Sequence, residues 1–137
     1  MNKEEIMKIL PHRDNMLLVE EAWVREDEAV GQYHVKGDEF FLQGHFPGNP
    51  VVPGVILCEM MAQATCVLLC DADDMQGKTP YFTSMKNVKF RKPVKPGDTL
   101  ESHCKIIKAK KPFYVAEGKG YVDGNLMVEA EFTFAIM

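Results

Sequence analysis

The sequence predicts an α+β fold: one long helix covered by a curved antiparallel sheet of about six strands. Three observations lead there. The run VILCEMMAQATCVLLC, residues 55–70, contains neither Gly nor Pro and is apolar on nearly every face, as expected of a helix buried all round. Six β-like segments flank it, two before and four after. In the last of them Leu126, Val128, Ala130, Phe132, Phe134 and Ile136 alternate with Glu129, Glu131 and Thr133, giving one apolar sheet face that needs a cover. Wrapping the sheet around the helix is the simplest way to bury both.

The composition bounds the function. With 137 residues, 46% hydrophobic and 26% charged, the chain suffices for one domain spanning 1–137 with a core of its own. A net charge of −4 makes the whole molecule repel nucleic acid and anionic membranes. Cys58, Cys66, Cys70 and Cys104 form no CxxC, and MNKEEIMKIL has no apolar core before a cleavage site. An unexported, cytoplasmic chain with reduced thiols is therefore expected. The stretch from Gly54 to Cys70 is too short for a membrane span and carries Glu59 and Gln63.

Taken in order, Asn2 and Glu5 form a capping pair for a short helix that must end before Pro11. Strands are expected over Leu17–Glu26 and Glu28–Val35, joined by a polar hairpin turn. Residues 37–54 are dense in Gly and Pro, with Phe40, Phe41 and Phe46 interleaved, and read as a shaped loop. Pro53 suits the first turn of the long helix, expected to run to Asp71 before Ala72-Asp73-Asp74 return to solvent. Strands are expected over Tyr81–Val94, Thr99–Ala109, Phe113–Val122 and Leu126–Ile136, with Asp123-Gly124 as a two-residue turn.

The densest chemical signal is GHFPGNPVVPGVILCEMMAQ, residues 44–63. His45 sits on a backbone stiffened by Pro47, Pro50 and Pro53, which makes it a candidate base; a histidine that merely bonds a loop carbonyl is the plainer reading. His12, His34 and His103 read as structural or exposed. Glu59 is the one ionisable group between Gly54 and Cys70 apart from the thiols of Cys58 and Cys66, and an unpaired buried carboxylate is expensive. It must be protonated, paired or facing a cleft, unless it snorkels to the surface. Gln63, one turn later, is placed to hold its carboxyl group. The N–H of Gly54, at the helix N-terminus, could polarise a carbonyl oxygen. A base, an acid and an oxyanion site suffice to eliminate water from a 3-hydroxyacyl thioester, with no metal or redox cofactor. Cys66 and Cys70 lack a His or acid at matching spacing, so no metal site is expected.

The runs LPHRDNMLLVE, GHFPGNPVVPGVILCEMMAQ and YFTSMKNVKFRKPVKPGD closely resemble the 3-hydroxyacyl-acyl-carrier-protein dehydratase family of bacterial type II fatty acid synthesis, over nearly the whole chain. The resemblance implies a hot-dog fold, in which an antiparallel sheet encloses the long helix, and a catalytic pair at His45 and Glu59. It also implies homodimers with sites at the subunit interface, commonly assembled as trimers of dimers, and an aromatic gate to the acyl tunnel at Tyr81. An Asp in place of Glu59 would resemble the dehydratase/isomerase branch, which is kept as the alternative activity. Asp14-Asn15-Met16 departs from the usual pattern, where an aromatic and a proline are common, and concerns the tunnel mouth.

Charge is segregated. Residues 86–111 carry nine basic and two acidic groups, net +7, against −11 for the remainder. A solvated sheet edge guarded by lysines explains this as well as a docking patch built on Lys86, Lys89, Arg91 and Lys92. The resemblance implies the latter, for an acidic acyl carrier protein and the phosphate of its phosphopantetheine arm. Nucleic acid fits poorly, since Phe90 is the sole stacking residue within KNVKFRKPVK. An acyl-binding module without catalysis and a thioesterase are the remaining readings.

Overall fold

The computed structural model describes residues 1–68 and 77–137. Helix α1 (Lys3–Met7) opens with the expected capping box: Asn2 Oδ1 accepts the Glu5 N–H at 2.9 Å and Glu5 Oε1 accepts the Asn2 N–H at 3.1 Å. Ile6 and Leu10 anchor this segment in the core. A one-turn 3-10 helix (Asp14–Met16) follows, then β1 (Glu21–Arg25), β2 (Glu28–His34), a second 3-10 turn (Phe40–Leu42) and the long helix α2, described over Gly54–Leu68. Strands β3 (Pro80–Phe90), β4 (Thr99–Lys110), β5 (Phe113–Val122) and β6 (Asn125–Ile136) complete the sheet. The expected course of the chain through Cys70 to Asp74 lies outside the described residues.

All six strands form one antiparallel sheet in the order β1-β2-β4-β5-β6-β3, so β3, though third in sequence, is an edge beside β6. Two glycines let α2 settle onto it. A Cβ on Gly31 of β2 would stand 2.7 Å from the Ala64 Cβ, and one on Gly118 of β5 would stand 3.2 Å from the Met61 sulfur. Around these contacts Leu100, Ala116, Val128 and Phe132 close the core beneath the helix. The alternation expected in β6 is present, with Val128, Ala130, Phe132 and Phe134 buried and Glu129, Glu131 and Thr133 half-exposed. Asp123 and Gly124 both have positive φ, 49° and 81°, the left-handed pair that a tight hairpin requires.

Three expectations are corrected. The first strand begins at Glu21, not Leu17, because Leu17–Val19 is a buried coil in which the Leu18 N–H is taken by the Gln63 side chain at 2.8 Å. β3 stops at Phe90 rather than Val94; Pro93 has no N–H for a ladder, and the Val94 carbonyl instead accepts the Val52 N–H at 2.8 Å, tying down the loop before α2. Nor is α2 covered on every side by its own chain. Val55 is 66% exposed, and Glu59 and Ala62, which follow it at helical spacing, are only half-buried.

Candidate active site

Glu59 faces a narrow cleft between α2, the segment after α1 and the start of β3. Its walls include His12, Gln63, Cys66, Tyr81 and Phe82, and its volume is about 30 Å³, room for roughly one water molecule. Gln63, 1% exposed, is wired into three partners. Its Nε2 donates to the Met16 carbonyl at 2.8 Å and to Glu59 Oε1 at 3.0 Å, and its Oε1 accepts the Leu18 N–H at 2.8 Å. His12 Nε2 lies 3.3 Å from Glu59 Oε1. Of the arrangements open to this carboxyl group, the fold thus combines pairing with a cleft.

His12 is therefore not merely structural or exposed, as its sequence position first implies; it stands beside Glu59. The signal that could have found it was its place in LPHR, between a proline and an arginine. Arg13 braces this turn, its guanidinium donating to the carbonyls of Met7, Leu10 and His12 at 2.8, 2.7 and 2.7 Å. His34 bonds Thr99 Oγ1 at 2.9 Å, and His103 lies between Glu28 and Glu101, all on the outer side of the sheet. The larger recess there, about 870 Å³, is lined by charged groups that largely pair with one another, including Lys105 with Glu117.

His45 occupies the shaped loop. Its Nδ1 lies 2.9 Å from the Val51 carbonyl, which can only accept, so Nδ1 carries the hydrogen and Nε2 is left with a bare lone pair. The loop is closed by the Val51 N–H donating to the His45 carbonyl at 3.0 Å, and the Phe46 ring rests against the imidazole at 4.3 Å between centroids. No hydrogen bond or ion pair joins His45 to Glu59 within the chain, and His45 does not line the Glu59 cleft. Their partners differ: the Val51 carbonyl for His45, and Gln63 and His12 for Glu59.

Gly54 begins α2, and its N–H has no acceptor within the described chain. The Phe90 ring covers its Cα so closely that a Cβ would stand 2.6 Å from Cε1. Tyr81 is half-exposed at the cleft mouth. On β3 and just after it, Lys86 pairs with Glu131 at 3.2 Å and Arg91 with Glu129 at 3.3 Å, whereas Lys89 and Lys92 make no ion pair among the described residues. The hydrogen bond and charge of Arg91 hold the Glu129 carboxyl below its ordinary range. Burial pushes the Cys58 thiol up to about 11 and the Cys104 thiol up to about 12, so both are inert as nucleophiles near neutrality.

A long helix under a wrapped antiparallel sheet, with an acid on the helix and a tautomer-fixed histidine on the preceding loop, defines the class, and comparison with known proteins agrees. The model of the FabA-like domain matches residues 10–131. A 3-hydroxyacyl-[acyl-carrier-protein] dehydratase FabZ of Fusobacterium nucleatum is 46% identical over 96% of this chain and 94% of its own. That of Clostridium beijerinckii is 41% identical over 99% of both. The chain belongs to this family of FabA-like dehydratases. Among solved structures, the dehydratase heterocomplex ApeI:P from Xenorhabdus doucetiae matches with a TM-score of 0.80 at 21% identity, covering 95% of this chain and 89% of that one. The PaaI protein of the E. coli phenylacetic acid degradation operon matches at 0.64 and 16%, covering 84% and 81%. Both likenesses speak to the hot-dog fold alone.

Proposed function

We propose that this protein dehydrates 3-hydroxyacyl groups carried on acyl carrier protein to the trans-2-enoyl thioester in fatty acid biosynthesis. The observation that carries the chemistry is the Nδ1–H bond of His45 to the Val51 carbonyl, which leaves Nε2 as a base without help from any other side chain. His45 Nε2 takes the α-proton. The electron pair left at the α-carbon forms the new double bond as the bond from the β-carbon to the hydroxyl oxygen breaks, and Glu59 gives that oxygen its proton, so water leaves. The Gly54 N–H steadies the negative charge that builds on the thioester oxygen. The proton then resides on His45 and the charge on Glu59, and exchange with solvent restores the pair. No feature of the site favours trans-2 to cis-3 isomerisation.

That His45 and Glu59 share neither a hydrogen bond nor a cleft within the chain supports a site shared between subunits. A homodimer would cover the open side of α2 and the edge strand β3, whose Tyr81, Phe82, Met85 and Phe90 are all exposed. Trimers of such dimers are part of the proposal. Tyr81, half-exposed at the mouth of a cleft too small for an acyl chain, is the gate in this reading and swings aside for substrate. Lys86, Lys89, Arg91 and Lys92 form the docking patch for the carrier protein, and buried thiols at Cys58 and Cys104 fit a reducing, cytoplasmic setting.

Mixing two inactive variants tests the pair and the shared site together. His45→Ala and Glu59→Gln should each lower turnover about a hundredfold or more, with circular dichroism unchanged. After subunit exchange in equal amounts, half the dimers are mixed and each has one intact site, so activity should return to about one quarter of wild type by two-fold symmetry. Activity left at the variants' floor, with exchange confirmed by mass spectrometry, would exclude a shared site. Near-wild-type turnover of either variant alone would exclude its role.

A further inference from the structure

Two nitrogen atoms converge on one oxygen of Glu59. Gln63 Nε2 donates to Oε1 at 3.0 Å, and His12 Nε2 stands 3.3 Å from the same atom. The Gln63 amide cannot be reversed, because its Oε1 accepts the Leu18 N–H and its Nε2 donates to the Met16 carbonyl. The other nitrogen of His12, Nδ1, is buried and has no hydrogen-bond partner among the described residues. A hydrogen at Nδ1 would be an unpaired buried donor, and orphaned buried N–H groups are rarer than under-satisfied acceptors. The ring therefore carries its hydrogen on Nε2, on the side of Glu59.

A neutral carboxyl group has one acceptor-only oxygen and one hydroxyl. Oε1 already accepts the Gln63 N–H and has the His12 ring 3.3 Å away, so it is the better placed of the two to be the carbonyl oxygen, which puts the proton on Oε2, an atom with no hydrogen bond among the described residues. We propose that His12 is a positioning residue for the reaction: its Nε2–H, with the Gln63 amide, holds Oε1 as the carbonyl oxygen and so presents the Glu59 proton on Oε2 to the departing hydroxyl. The proposal rests on the reading of Glu59 as the acid. His12 is itself held, with Pro11 before it and the Arg13 guanidinium bonded to the carbonyls of Leu10 and His12.

The test compares three substitutions by hydration of an enoyl thioester. His12→Phe keeps a planar ring without a donor and should lower kcat about ten- to a hundredfold while moving KM less than about threefold, since misorientation of a bound acid costs turnover rather than binding. His12→Gln restores an N–H near the Nε2 position and should recover most of that loss. His12→Leu is the second donor-free variant should the Phe variant not fold. Wild-type kcat in a folded donor-free variant overturns the proposal, and so does a Gln variant as impaired as Phe, because ring shape or charge would then be what matters. Glu59→Gln in the same assay separates the two levels. If it is fully active, the reading of Glu59 fails; if it is inactive while His12→Phe is unimpaired, only the role of His12 fails.

Discussion

Replacing Gln63 by Leu isolates how much the fold depends on one side chain that also holds the acid. The substitution nearly preserves volume but removes both polar ends of a residue that is 1% exposed. It leaves the Leu18 N–H, whose residue is equally buried, with no acceptor, a loss of about 1–3 kcal/mol. The Met16 carbonyl also loses its donor, but Met16 is 38% exposed and water can replace it at little cost. The net loss should therefore be about 1–3 kcal/mol, lowering Tm by roughly 3–15 °C for a chain of this length. Thr65→Val is the matched control in the same helix. Thr65 is fully buried, yet its hydroxyl is a supplementary donor to the Met61 carbonyl, which also receives the Cys104 thiol at 3.4 Å, so about 1 kcal/mol or less is at stake. Urea unfolding at one fixed protomer concentration reads both, with an unchanged slope required for the comparison. Equal losses for the two variants, or a Gln63→Leu cost below about 1 kcal/mol, would refute the claim that this amide is what satisfies the coil before β1.

Two further outcomes are expected. Burial opposes ionisation of Glu39, but N–H groups of Lys36 and Gly37 and the Tyr33 hydroxyl, at 2.9, 2.7 and 2.8 Å, hold its carboxyl below the ordinary 4.5. The folded state then binds fewer protons than the unfolded chain, so this stabilisation is present above about pH 4.5 and is lost as the pH falls through the lower folded value. Glu39→Gln should accordingly cost about 1–2 kcal/mol at pH 7 and progressively less in denaturation series carried below pH 4.5; a gap that stays constant with pH would contradict this. Charge reversal at Lys89 or Lys92, neither of which makes an ion pair among the described residues, should raise KM for acyl-carrier-protein substrates several-fold at low salt and much less above about 0.5 M, while short pantetheine thioesters are nearly unaffected. Equal loss on both substrate types would point away from docking.

What the sequence determined by itself is local. The Asn2–Glu5 capping box, the Asp123-Gly124 turn and the alternation of β6 each depend on residues within a few positions of one another, so spacing alone carries them. The Gln63–Glu59 bond belongs with these, because residues four apart on a helix share a face. Tertiary structure decided what joins distant segments. The Leu17–Val19 segment has a strand's composition, but Gln63, forty-five residues away from Leu18, takes the N–H that a ladder would have used. Strand order placed β3 at an edge, which no periodicity within β3 could reveal, and left the Val55–Glu59–Ala62 side of an apolar helix open. His12 came to Glu59 the same way: a turn braced by Arg13 and a helix more than forty residues later meet only once the core between them has packed, so the contact is a property of the fold and not of either segment.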